Sequence, residues 1–139
     1  MTTVLFACVH NAGRSQMAAA LFNRIAAPGS ARALSAGTSP ADRVHPEVVT
    51  VMREWGVELS AATPVRLTDT LARQAQWLVT MGCGDQCPVV PGAQVEDWPL
   101  PDPKGRPMDE VRAIRDDIAR RVEALVDRHG WGKPTAPSV

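Results

Sequence analysis

The strongest constraint on the fold is a strand, a loop and a helix that follow one another directly near the N-terminus. Residues 3–7 (Thr-Val-Leu-Phe-Ala) predict a buried strand, residues 8–15 a turn, and residues 16–22 a helix. Further strands are predicted at residues 33–36, 77–81 and 93–96, and helices at residues 46–55, 68–74 and 108–126. Strands that alternate with helices form a parallel sheet covered on both faces. The sequence therefore predicts an α/β fold: one doubly wound domain with a four-stranded parallel sheet and helices on both faces.

Composition limits the size and the partners of this domain. The chain has 139 residues, 45% of them apolar, with 15 basic and 15 acidic side chains, which fits one globular domain. We assign residues 1–129 to this domain and the Gly- and Pro-rich residues 130–139 to a flexible tail. Zero net charge and the lack of an apolar run of about 18–20 residues argue against a nucleic-acid or membrane partner. No signal peptide is recognisable, so we expect a cytoplasmic protein, as a monomer or weak dimer.

Residues 8–15, Cys-Val-His-Asn-Ala-Gly-Arg-Ser, have the composition of a loop that binds an oxyanion, and we call them the anion loop. Backbone N–H groups converge at a strand-to-helix turn, and the helix N-terminus adds partial positive charge there. Arg14 can bond two oxygens of a tetrahedral anion, and the same field favours a Cys8 thiolate, to which Ser15 can donate a hydrogen bond. The alternative is a buried structural Cys8 and a surface charge at Arg14. We predict Cys8, Arg14 and Ser15 as catalytic residues, and anion binding by Val9, His10, Asn11, Ala12, Gly13 and Arg14.

The other two cysteines, Cys83 and Cys87, lie four residues apart, just after the strand predicted at residues 77–81. Ligands of α/β sheets bind beyond the carboxyl ends of the strands where the strand order reverses, so both cysteines could lie at the crevice of the anion loop. Cα atoms four residues apart in a helical turn are separated by about 6 Å, within the range of a disulfide. Two other interpretations are inert thiols and half of a metal site, although the three histidines have no paired spacing that matches zinc.

A Pro-rich segment, residues 97–105, supplies candidate acids, and we call it the acid loop. Asp102, fixed between Pro101 and Pro103, is the preferred general acid, because an oxyanion leaving group must be protonated as the bond to sulfur forms. The alternative is a solvated loop carboxylate. Asp97 is expected to be a structural acid.

Four motifs, in consistent order along residues 3–128, resemble arsenate reductases built on the low-molecular-weight tyrosine phosphatase fold. They are Cys8 with residues 14–18 (Arg-Ser-Gln-Met-Ala), residues 35–37 (Ser-Ala-Gly), residues 81–85 (Met-Gly-Cys-Gly-Asp) with Cys87-Pro88, and Asp97-Trp98 with Asp102-Pro103. Phosphatases of this fold generally lack the second thiol pair, whereas thioredoxin-coupled reductases have it. They also tend to place a tyrosine after the Asp-Pro, where this chain has Lys104. The resemblance therefore favours a reductase.

The resemblance also implies a role for each thiol. Cys8 would attack arsenate held by the loop amides and Arg14, with Asp102 protonating the departing oxygen. Cys83 would then attack the Cys8 sulfur and release arsenite, and Cys87 would form a Cys83–Cys87 disulfide for thioredoxin to reduce. Thioredoxin, at roughly −270 mV, can reduce a strained and exposed disulfide. No bound cofactor is expected, only an external thiol reductant.

Departures from the family pattern leave parts of this assignment open. Some family members bind potassium through a carboxylate at the position of Ala19, so we expect no metal here. The short spacing between Cys83 and Cys87 leaves open a reductase that uses mycothiol and mycoredoxin instead of the relay. The remaining alternatives are a low-molecular-weight protein tyrosine phosphatase and a non-enzymatic oxyanion-binding or redox-sensing protein.

Overall fold

The architecture is a four-stranded sheet with helices packed on it, in a computed structural model that describes residues 1–82 and 92–133. The strands β1 to β4 are Thr2–Cys8, Ala31–Gly37, Trp77–Thr80 and Gln94–Asp97. The helices α1 to α4 are Arg14–Ile25, Pro46–Arg53, Asp69–Arg73 and Met108–His129. All strand pairs are parallel, in the order β2-β1-β3-β4. The predicted α/β class and parallel four-stranded sheet are confirmed.

The central strand β1 is apolar on both faces because helices cover both sides of the sheet. Val4, Phe6 and Cys8 belong to the larger cluster of buried side chains, under α1, α2 and α4, and Leu5 and Ala7 to a smaller cluster that includes Ala72 of α3. This alternation is the period of a strand, so the side chain of Cys8 lies on the same face as that of Phe6.

The strand order reverses between β1 and β3, and this places the anion loop. In the sheet, β2 lies next to one edge of β1 and β3 next to the other edge, so the chain changes direction across the sheet after β2. The carboxyl ends of β1 and β3 are therefore adjacent, with Ala7 paired to Thr80. Such a reversal is the usual ligand position in open α/β sheets. The anion loop leaves β1 there, and Met81 and Gly82 leave β3 beside it.

The C-terminal helix α4 is closed by Gly130, which has φ 69°. Residues 130–133, the first part of the predicted tail, lie against the rest of the chain. Trp131 stacks on His129 with ring centroids 4.5 Å apart and meets Phe22 at 5.9 Å, and Lys133 N–H donates to Ile25 O at 3.3 Å. Residues 134–139 lie outside the described part. None of the helices in the described ranges could cross a bilayer.

Candidate active site

Cys8 is the last residue of β1, and its thiol is held by two polar groups of the anion loop. Its Sγ lies 2.9 Å from Ser15 Oγ, and Asn11 N–H donates to it at 3.3 Å. The residue is only 2% exposed. Both groups can donate a hydrogen bond to the sulfur, and the thiolate is the form in which cysteine acts as a nucleophile.

The carbonyl groups of the anion loop are turned towards residues 38–45. Cys8, Val9, His10 and Ala12 accept hydrogen bonds of 2.8–3.1 Å from the N–H groups of Thr38, Ser39, Ala41 and His45. With the carbonyls held on that side, the loop can direct N–H groups to the other. Within residues 1–82 and 92–133, no acceptor is found for the N–H groups of Ala12, Gly13, Arg14 and Ser15. The loop can therefore donate several hydrogen bonds to one oxyanion.

The start of α1 adds to this donor set because it has no side-chain cap. Gly13 is the N-cap residue and offers no side-chain oxygen, whereas α3 is capped by Thr68, whose Oγ1 accepts from Leu71 N at 3.1 Å. An uncapped helix start leaves free N–H groups and the positive end of the helix dipole. At the start of α1, the free N–H groups and the positive end of the helix dipole both lie at the anion loop.

Asn11 fixes the shape of the loop from inside the protein. It is fully buried and has φ 48°, a left-handed conformation that asparagine tolerates better than most residues. Its Nδ2 donates to Ser15 Oγ at 2.7 Å, while its Oδ1 accepts from Gln16 Nε2 at 3.1 Å and from Val65 N at 2.8 Å. From the sequence we expected Asn11 to brace the loop as well as to bind the anion, but Gln16 and Val65 were not identified as its partners. An asparagine within a tight loop is a recognisable signal for a left-handed backbone position. A partner such as Val65, 54 residues away, leaves no local signal in the sequence.

Arg14 is a buried cation without a carboxylate partner in the described part of the chain. It is 6% exposed, and its Nη1 donates to Leu100 O at 3.0 Å. Gly82 lies directly against the guanidinium, since a Cβ at this position would collide with Arg14 Nη1. A buried charge with no counter-ion is costly, so the site favours an anion as its partner.

The acid loop packs on the anion loop through Pro103. A Cβ on Gly13 would lie 2.7 Å from Pro103 Cγ, so glycine permits this close approach. Asp102 is half-buried, and its Oδ1 accepts from Lys104 N at 3.0 Å. Asp97, at the end of β4, instead accepts from Thr80 Oγ1 at 2.7 Å and joins two strands.

Two histidines lie at the edge of the anion loop. The ring of His10 meets that of His45 at a centroid distance of 6.5 Å, and His10 Nδ1 lies 3.2 Å from Ser39 O. Burial is the main cause that lowers the pKa of His45 below 6.5, and the carboxylates of Glu47 and Asp102 oppose this shift. At neutral pH His45 is therefore an uncharged ring, and sequence reasoning did not identify it.

The neighbourhood of Ala19 fits a bound cation poorly. The cavity beside the anion loop, of about 450 Å³, is lined by Ala19 and nine other residues, none of them acidic. The Asn11 Oδ1 atom already accepts two N–H groups. Across the described ranges, no cluster of three His, Cys, Asp or Glu side chains could hold a metal ion.

The predicted relay cysteines, Cys83 and Cys87, lie outside the described residues. The described chain stops at Gly82, one residue before Cys83, and resumes after residue 91. Met81 N–H donates to Ala7 O at 2.8 Å, so the chain leaves β3 next to the end of β1.

A buried cysteine in a loop of backbone N–H donors, with an arginine and an acid loop beside it, is the arrangement expected of an enzyme that binds phosphoryl or arsenyl groups. The chain belongs to the low molecular weight phosphotyrosine protein phosphatase family, whose model matches residues 3–130. This confirms the family predicted from the sequence.

Within this family the chain is similar to arsenate reductases. It is 44% identical to a Halobacterium salinarum protein named "Putative arsenate reductase", over 88% of this chain and 89% of that protein. It is 33% identical to the glutaredoxin arsenate reductase of Synechocystis sp., over 91% and 97% of the two chains. The structure of a thioredoxin-dependent arsenate reductase from Corynebacterium glutamicum superposes with a TM-score of 0.80 and 41% identity, over 94% of this chain. The present chain spans 62% of that longer chain.

Proposed function

We propose that this protein is an arsenate reductase whose activity resides in residues 1–129 and converts arsenate to arsenite. The observation that carries the proposal is a hydrogen-bonded, buried Cys8 in an anion loop whose N–H groups lack acceptors, beside an Arg14 that lacks a carboxylate partner, within the described part of the chain. Relatives that are named arsenate reductases, at 44% and 33% identity, support arsenate as the oxyanion.

In the first step the Cys8 thiolate attacks the arsenic of a bound arsenate. A sulfur–arsenic bond forms, the bond from arsenic to one hydroxyl group of arsenate breaks, and Asp102 gives its proton to that hydroxyl, which leaves as water. Arg14 and the loop N–H groups neutralise the charge on the remaining oxygens. Ser15, 2.9 Å from the sulfur, stabilises the thiolate before the attack.

In the second step Cys83 supplies the electrons that reduce arsenic. Its thiolate attacks the Cys8 sulfur, a disulfide forms, and the electron pair of the sulfur–arsenic bond goes to arsenic, which leaves as arsenite. Cys87 then attacks Cys83 and frees Cys8. An external thiol protein, for which we favour thioredoxin, returns two electrons to the Cys83–Cys87 disulfide.

The identity of the reductant is the least constrained part of the proposal. The relatives carry names with two different thiol proteins, thioredoxin and glutaredoxin. The alternative is that mycothiol attacks the arsenylated Cys8 directly and mycoredoxin completes the cycle. In that variant Cys83 and Cys87 are dispensable.

A second candidate function is phosphatase activity, because the family model is that of a phosphotyrosine phosphatase and the anion loop suits phosphate equally well. In that reaction water would hydrolyse a phosphorylated Cys8. The chain contains no tyrosine and has Lys104 after the Asp-Pro pair. We therefore expect hydrolysis of an aryl phosphate to be weak compared with arsenate reduction.

The test is arsenate-dependent NADPH oxidation in the presence of thioredoxin and thioredoxin reductase. The wild type should turn over, while Cys8→Ser, Cys83→Ser and Cys87→Ser should each fail. Activity only with mycothiol and mycoredoxin, retained in Cys83→Ser, would replace the relay but keep the reductase. Activity with neither system, together with efficient aryl phosphate hydrolysis, would favour the phosphatase.

A further inference from the structure

The acid loop is joined to the first turn of α2 by a hydrogen bond that bridges 58 residues. Glu47 Oε1 accepts from Gly105 N–H at 3.2 Å. Glu47 is half-buried and lies in the first helical turn, where the helix dipole favours a negative charge. The carboxylate is thus an electrostatically favoured acceptor for this loop amide.

The first turn of α2 is itself fixed to the anion loop. His45 N–H donates to Ala12 O at 2.9 Å, and the His45 ring lies 3.6 Å from the position that a Cβ of Gly13 would occupy. Val48, Val51 and Met52 anchor the helix in the core. Because α2 is attached both to the anion loop and to the core, a loop bound to its first turn is positioned relative to Cys8 as well.

The acid loop has few other attachments near its acid. Three prolines leave only four N–H groups in residues 101–107, and those of Lys104 and Arg106 bond within the loop itself. Arg106 Nε also bonds inside the loop, to Asp102 O, and the Arg106–Glu110 ion pair to α4 is exposed and 3.9 Å long. The segment is fixed at one end where Leu100 O accepts from Arg14, and at the other where Pro107 O accepts from two N–H groups of α4. Between these ends, it is held to the anion loop by the contact of Pro103 with Gly13 and to α2 by the bond from Gly105 to Glu47.

We propose that Glu47 is a positioning residue that holds the acid loop against the anion loop, so that Asp102 stays within reach of the leaving oxygen. The proposal rests on the proposed role of Asp102 as general acid. Glu47 touches neither substrate nor sulfur in this scheme. It acts through Gly105 and the backbone of the acid loop, and its contribution appears in the chemical step rather than in binding.

The decisive comparison is between Glu47→Ala, which removes the acceptor, and Glu47→Gln, which keeps an oxygen for Gly105 N–H. We expect kcat to fall about five-fold in Glu47→Ala, with KM for arsenate unchanged, and to stay near the wild-type value in Glu47→Gln. The control is Glu123→Ala, an exposed residue of α4 away from the anion loop, which should leave both constants unchanged. Equal losses in Glu47→Ala and Glu47→Gln, or a loss confined to KM, would overturn the proposal.

Hydrogen exchange tests whether Glu47 restrains the acid loop, and this measurement does not require turnover. The amides of residues 101–107 should exchange faster in Glu47→Ala than in the wild type or Glu47→Gln, while those of β1 remain unchanged. Unchanged exchange rates in Glu47→Ala would refute the claim that Glu47 holds the acid loop. A protein that shows the exchange effect but no arsenate reduction would instead contradict the proposed function.

A double variant separates positioning of Asp102 from a general structural effect. If Glu47 acts through Asp102, Glu47→Ala should have no further effect on kcat in an Asp102→Asn background. Independent, multiplying losses in the two variants would show that Glu47 affects turnover by another route and would overturn the assignment.

Discussion

Replacement of Gly82 by alanine should weaken the anion site although Gly82 is not itself one of the residues that we propose to bind the anion. A Cβ on Gly82 would collide with Arg14 Nη1 and come within 3.3 Å of Arg14 Cζ. Arg14 has little space to retreat, because it is only 6% exposed and its Nη1 is bound to Leu100 O. The added methyl group must therefore shift the guanidinium away from its place beside the anion loop.

The magnitude follows from two separate costs. Gly82 has φ 90°, so alanine there is strained by about 1–2 kcal/mol, which lowers the free energy of unfolding. A displaced Arg14 loses a charge-assisted hydrogen bond to the anion, worth about 1.5–3 kcal/mol, which weakens binding about 10- to 150-fold.

Isothermal titration of reduced protein with inorganic phosphate, alongside thermal unfolding, measures both costs. The matched control is Gly29→Ala, since Gly29 has φ 86° but no atom lies within 4 Å of the position that its Cβ would occupy. Both variants should lose similar stability, and only Gly82→Ala should lose phosphate affinity. Equal phosphate affinities in the two variants would refute the assignment of Arg14 as an anion ligand held by Gly82.

Three further predictions concern the anion loop and the acid stability of the fold. Ser15→Ala removes the hydroxyl 2.9 Å from Cys8 Sγ, so alkylation of Cys8 by iodoacetamide at pH 7 should slow about ten-fold, and an unchanged rate would contradict the role of Ser15. Asn11→Ala removes three hydrogen bonds of a buried side chain and places alanine at φ 48°, so urea denaturation should show a loss of about 3–5 kcal/mol in the free energy of unfolding; a loss below about 1 kcal/mol would contradict the bracing role. Hydrogen bonds from two arginines lower the pKa of Glu54 from 4.5 to about 2, so its contribution to stability is present above pH 4.5 and disappears as the pH falls towards 2. The stability difference between wild type and Glu54→Gln should follow that course, whereas Glu123→Gln should show no such pH dependence.

Local features of the sequence were sufficient for the order of the elements and for the fold. The strand before Cys8, the helix that begins at Arg14 and the helix that begins at Met108 were predicted to within a residue or two, because each depends on a short-range pattern of apolar residues. The family was also predictable, since its motifs are short and occur in a fixed order. β2 begins two residues earlier than predicted, at Ala31, where pairing with β1 extends the strand.

The contacts that shape the candidate site were less accessible. His45 and Glu47 have ordinary sequence surroundings, a helix start with Pro46 between them. Nothing in that pattern indicates that one lies beside Gly13 and the other binds Gly105. Gly82 was identified only as part of the motif that follows the strand predicted at residues 77–81, and its contact with Arg14 joins segments that are far apart in the chain.

The sequence alone was enough to predict which residues would carry the chemistry: a nucleophilic Cys8, an Arg14 at a helix start and a proline-fixed Asp102, each indicated by its immediate neighbours. Only the tertiary structure decided how these groups are held. The bonds from Asn11 to Val65, from Arg14 to Leu100 and from Gly105 to Glu47 join residues 54, 86 and 58 positions apart. Such contacts depend on how strands and helices pack together, which fixes distances between segments that no local pattern of residues encodes.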